Sequence, residues 1–152
     1  MNASVKTIVN TVTNTTAGLD TLPVRLAIGI VFMVHGAQKL FAWFGGYGLE
    51  GTAGWMTSIG IEPGLLMATL AGSAEFFGGL ALVVGLLVRP AGLVLAVTML
   101  VAIFTVHFEN GLFMSNNGYE YALALFVASL GLALRGAGSL SLDAVLQSKL
   151  AK

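Results

Sequence analysis

The chain has 152 residues, 57% of them hydrophobic and only 9% charged, and its formal net charge is zero. A soluble domain carries roughly 25% charged residues to solvate its surface, so most of this chain must be covered by lipid; with no run of Lys or Arg, a nucleic-acid partner is excluded. There is no cysteine, which removes disulfides, Cys-ligated zinc, iron–sulfur clusters and thiol relays, and leaves redox chemistry to a bound cofactor, a substrate or a partner.

Residues 1–22 are rich in Thr and Asn and lack a continuous apolar stretch, so they read as a cytoplasmic segment and not as a cleaved signal peptide. Four spans are expected next. The first covers residues 23–44 and opens on Pro23, a residue suited to a helix's first turn. The second covers 63–88 and opens on Pro63. The third begins after an Arg89-Pro90 break and reaches about residue 108; the fourth covers 119–134 and is the shortest. Each approaches the ~20 apolar residues that cross a hydrocarbon core. The fold class expected is all-α: a polytopic membrane four-helix bundle, residues 23–135, followed by a cytoplasmic tail, 136–152.

The connections differ in character. The link at residues 88–91 reads as tight. The loop 45–62 is long and Gly-rich and holds Trp55, Met56 and Ile59, which suits a short interfacial helix over the bundle mouth. The segment 109–118 is polar. The tail 139–150 is amphipathic, with Ser141 as a plausible N-cap for a short helix on the inner leaflet. With four spans both termini share a side, and that side receives Lys6, Arg25, Arg89, Arg135, Lys149 and Lys152, leaving only Lys39 elsewhere. The positive-inside rule then places both termini in the cytoplasm.

The informative residues are the polar ones within the spans. Lys39 is 14 residues beyond Arg25, Glu75 is 14 before Arg89, and Glu120 is 15 before Arg135. At 1.5 Å per residue, all three lie ~21–23 Å above the basic layer. A cation and two carboxylates thus share one depth on three helices. His35 lies one turn below Lys39, on the same face. His107 lies 18 residues beyond Arg89, nearer the outer surface. A weak echo between residues 31–35 and 103–107 would instead set the two histidines level, so their relative depth stays open.

Two readings of this cluster compete. Lys39 pairing with Glu75 or Glu120 would only lock helix register. Intramembrane ionisable residues mark function by default, however, and two carboxylates facing one lysine leave a proton to share. On the functional reading His35, Lys39, Glu75 and Glu120 carry the chemistry, with His107, Trp43, Trp55 and Tyr121 as ligand contacts. Trp43 and Trp55 also suit an interfacial belt. Haem ligation by His35 and His107 would require one depth, which the counting opposes. No regular metal-ligand motif occurs, and no metal is expected.

At these residues the chain resembles the DoxX family of small bacterial and archaeal membrane proteins. The matching features are His35-Gly36-x-x-Lys39-Leu40-Phe41, Glu75-x-x-Gly78-Gly79, His107, and Asn117-Gly118-x-Glu120-Tyr121. The resemblance implies a four-helix inner-membrane protein loosely associated with oxidoreduction, whose relatives look like quinone-linked oxidoreductase subunits or quinone-stress proteins; the chain itself shows no redox centre of its own. Quinone is the cofactor or ligand it suggests. The partners expected are lipid, soluble oxidoreductases and further copies of the chain. The cysteine chemistry of vitamin K epoxide reductase-type bundles does not carry over. The leading expectation is a quinone or small aromatic molecule bound in an outward-facing polar cavity. The alternatives are a proton-coupled small-solute carrier and a membrane scaffold for soluble oxidoreductases.

Overall fold

The computed structural model of the chain describes residues 3–15 and 18–150; Lys152, counted above among the basic residues, lies outside them. The described residues are mostly helical, with no strand among them. The helices are α1 (Ala3–Thr13), α2 (Leu22–Phe41), α3 (Gly48–Ser58), α4 (Gly64–Val84), α5 (Val88–Ala102), α6 (Glu120–Arg135) and α7 (Leu142–Leu150). A five-residue π turn, Ile103–His107, and a 3-10 turn, Phe108–Asn110, prolong α5.

Three helical stretches are long and apolar enough to cross a membrane: Leu22–Phe41, Gly64–Val84 and Val88–Asn110. The fourth expected span, α6, has 16 residues. That length reaches ~24 Å, short of a core ~30 Å thick. Helices α4 and α5 turn Leu65, Leu66, Leu70, Phe77, Leu93, Val94, Val97, Val101 and Phe104 outward. A contiguous surface of that kind belongs against lipid.

Helix α2 packs along α4, α5 packs along α6, and α4 joins the two pairs through α5. The α2–α4 contact is backbone to backbone. A side chain at Gly36 would overlap the Phe76 backbone nitrogen, and one at Gly79 would lie 2.6 Å from the Gly29 carbonyl oxygen. Glycine therefore sets this close approach, as small residues do between helices in lipid. Phe32, Leu82, Val88, Leu95, Met99, Ile103, Leu125 and Leu132 fill the core below it.

The tight link between α4 and α5 falls earlier than residues 88–91. Gly85, at φ 73°, ends α4, with the amides of Gly85 and Leu86 both donating to the Ala81 carbonyl. Leu87, also at positive φ, precedes a helix that already begins at Val88. Arg89-Pro90 is thus not a break but part of the first turn of α5. Pro costs nothing there, because amides in a first turn have no intrahelical partner.

The end of the bundle at this turn is sealed by the chain's terminal segments. Ser141 caps α7 as expected, its Oγ accepting from the Ala144 amide at 3.1 Å. Asp143, in the first turn of α7, is buried and accepts from the Leu87 and Val88 amides at 2.8 and 3.0 Å. Arg25, also buried, donates to the Leu140 carbonyl at 2.7 Å. Arg89 donates to the Asn14 carbonyl, and Arg135 pairs with Asp20 at 2.6 Å. The tail helix is therefore bolted to the bundle by its first turn, while Leu142, Val145 and Leu146 stay exposed. The N-terminal segment, which the sequence left without structure, forms α1 and packs on α7 and α5.

Candidate functional site

The site lies at the opposite end of the bundle, where α2 stops. Ala42 adopts a left-handed conformation, φ 58°, and Phe44 does the same. The chain folds back on the helix it has just left, and Gln38 Nε2 donates to the Phe44 carbonyl at 3.2 Å. Helix α3 then crosses this end, packing on α4 and α2. Buried Thr52 comes within 3.4 Å of the Lys39 carbonyl through its Oγ1. The long loop thus contains the short helix its sequence suggested.

Lys39 and Glu75 meet across the glycine contact. Lys39 Nζ donates to Glu75 Oε2 at 2.6 Å. The Glu75 side chain is 6% exposed and that of Lys39 25%, so the carboxylate is enclosed while the ammonium keeps an open side. Beside them is a cavity of about 760 Å³, lined by His35, Gln38, Lys39, Gly45, Gly46, Tyr47, Gly51, Thr52, Trp55 and Asn117. That volume falls in the range of small-molecule sites.

Of the residues singled out from sequence, His35, Lys39 and Trp55 line this cavity, and Glu75 sits behind Lys39. Tyr121 approaches from α6, its ring centroid 6.3 Å from that of His35. Three residues lie elsewhere. Glu120 does not join Lys39: it is exposed, and its Oε1 accepts from the Met114 amide at 2.6 Å. Trp43 packs with Phe41 and Phe44 on an exposed face, at 5.1 and 6.5 Å. His107 ends the π turn of α5, and its Nδ1 lies 2.8 Å from the Asn117 carbonyl. His107 therefore touches the site only through the loop that carries Asn117.

Sequence reasoning missed Gln38, Thr52 and Asn117. Gln38 had a usable signal, since it adjoins Lys39 one turn above His35. Asn117 had a fainter one, an Asn-Gly pair that favours the left-handed conformation it adopts, φ 59°. Together the lining supplies one cation, an imidazole, two amides, two hydroxyls (Thr52 and the Tyr47 phenol) and an indole. Such a set donates hydrogen bonds to a small oxygenated molecule and flanks it with aromatic surface.

An all-α, multi-pass membrane protein with a cavity at one end of its helices is the class this architecture defines. The DoxX family profile matches residues 21–108, and the chain belongs to the DoxX family. It is 37% identical over 125 residues to a Bacillus subtilis protein named "Putative oxidoreductase CatD", covering 82% of this chain and 85% of that one. It is also 32% identical over 126 residues to an uncharacterized Haemophilus influenzae protein, covering 78% and 84%. No solved structure matches the chain significantly.

Proposed function

We propose that the protein is the membrane subunit of a redox system and binds a quinone or small aromatic ring in the cavity beside Lys39. The single observation that carries this reading is the Lys39–Glu75 pair, enclosed on the carboxylate side and open on the ammonium side, at a cavity that also holds His35 and Trp55. Lys39 has two further protons to donate. A ring oxygen that gains negative charge on reduction is stabilised by that ammonium, which Glu75 holds in place. His35 donates to the same oxygen, and Trp55 and Tyr47 flank the ring plane. Electrons come from a partner oxidoreductase, because this chain has no cysteine and no evident redox centre of its own. The relative named as an oxidoreductase supports the redox assignment.

In this reading α6 is a fourth crossing, residues 23–135 form the membrane domain, and both termini are cytoplasmic. Arg25, Arg89 and Arg135 bind the terminal segments at one end, which suits the positive side of an inner membrane. The cavity then opens outward. The sealed end, with Arg25, Leu82, Val88 and Asp143 all buried, favours a one-sided binding site over a carrier.

The test is binding of a benzoquinone headgroup to wild type and Lys39→Met in lipid nanodiscs. A lost charged hydrogen bond weakens binding by about tenfold or more. Equal affinity in both proteins overturns the proposal.

A further inference from the structure

We infer that the cavity takes a polar aromatic ring without an isoprenoid tail, reaching it from water, and rejects the long-chain quinones of the bilayer. This rests on the ring-binding reading above and narrows it. A tail-bearing quinone needs two things from its site: an apolar trough for the first isoprene units, and a slot by which the rest of the tail leaves for lipid.

Neither is present. None of the ten residues lining the cavity is Leu, Ile, Val, Met or Phe. Its rings, those of Tyr47, Trp55 and His35, suit a flat partner better than a flexible chain. Each methylene buried in an apolar trough would raise affinity about fourfold, and this lining offers none.

The way out between α2 and α4 is closed. The seam between α2 and α4, beside Lys39 and Glu75, is filled by backbone contact at Gly36. On its outer side Phe41 meets Phe76 edge to face at 5.2 Å, and Phe76 meets Phe77 likewise at 5.3 Å. The open side is the loop that follows α2. Gly45 has no neighbour within 4 Å of where a side chain would start, and Tyr47 is 85% exposed. A ligand therefore enters past this glycine- and tyrosine-bearing loop and leaves by the same route.

The chain has two tryptophans, and only Trp55 lines the cavity. Trp43→Phe leaves Trp55 as a local reporter, and Trp55→Phe leaves Trp43, on the exposed aromatic face, as the control. Both proteins in nanodiscs are titrated with a dimethoxy-methyl benzoquinone headgroup and with the same headgroup carrying a decyl chain. The lipid-to-protein ratio is varied so that partitioning of the tailed compound into lipid is subtracted. The expected result is saturable quenching of Trp55 and not Trp43 by the headgroup, with the decyl compound binding no more than fivefold tighter. Binding of the decyl compound more than fivefold tighter overturns the exclusion of tails and leaves the ring-binding reading standing. No saturable quenching of Trp55 by either compound overturns both.

Discussion

Lys39 Nζ and Glu75 Oε2 are 2.6 Å apart, on two helices brought into backbone contact by Gly36 and Gly79. The carboxylate is deeper than the ammonium, so the two residues are not equivalent. Loss of the lysine strands a buried charge; loss of the glutamate frees a cation that already faces the cavity. Lys39→Met is therefore expected to lower stability by about 2–3 kcal/mol, toward the low end for breaking a buried pair because Lys39 keeps some exposure. Adding Glu75→Gln should restore at least about 1 kcal/mol of that loss. Denaturant titration of the three proteins in mild detergent measures it, and simple additivity would show the pair uncoupled.

The glycine contact gives a second expectation. Gly36→Val drives a branched side chain into the Phe76 backbone, forcing α2 and α4 apart and separating Lys39 from Glu75. Overpacking of this kind costs about 1–3 kcal/mol or more. Gly131→Ala, on α6 with nothing within 4 Å, should leave stability unchanged or raise it slightly, as Ala is the better helix former. Thermal unfolding of both variants distinguishes a specific contact from a general intolerance of glycine replacement.

The sequence carried the pair but not its surroundings. Counting residues from the basic layer put Lys39 and Glu75 at one depth, because both lie in regular helix where rise per residue is constant. The same count put Glu120 beside them, although the structure sends its carboxylate to the Met114 amide. Glu120 is the first residue of α6, where side chains meet unpaired loop amides, and depth alone says nothing of direction. Asn117 was hidden because it reaches the cavity from a turn outside any helical periodicity. Asp143 was hidden because the tail was read for its apolar stripe, and a lone buried carboxylate leaves no pattern. The turn at Gly85 is legible as a C-terminal glycine, but an Arg-Pro pair a few residues on reads equally as a helix boundary.

Asp143 predicts a pH dependence. Burial pushes its carboxyl above the ordinary value of 3.8, against the opposing pull of the Val88 and Leu87 amides and of Arg25. The folded state then holds the proton more tightly than the unfolded state. Its contribution is greatest below the ordinary carboxylate value and falls as pH rises through the raised one. Asp143→Asn should flatten stability over the range from about pH 4 upward. It should also cost about 2 kcal/mol at neutral pH, since an amide cannot accept from both backbone donors with equal strength. Unfolding midpoints across that range check both signs.

Topology is tested with single cysteines in this cysteine-free chain. Ser58→Cys, at the end of α3, should react with a membrane-impermeant maleimide added outside intact cells. Lys149→Cys, on α7, should react only after permeabilisation. External labelling of Lys149→Cys would reverse the orientation and turn the cavity toward the cytoplasm.

The most direct measurement is an experimental structure in lipid nanodiscs with the benzoquinone headgroup bound. The account predicts ring density beside Trp55, with one ring oxygen within hydrogen-bond distance of Lys39 Nζ and the Lys39–Glu75 contact intact. Ring density on the outer Phe41–Phe76–Phe77 face, or Trp55 turned into lipid above an empty cavity, would contradict it.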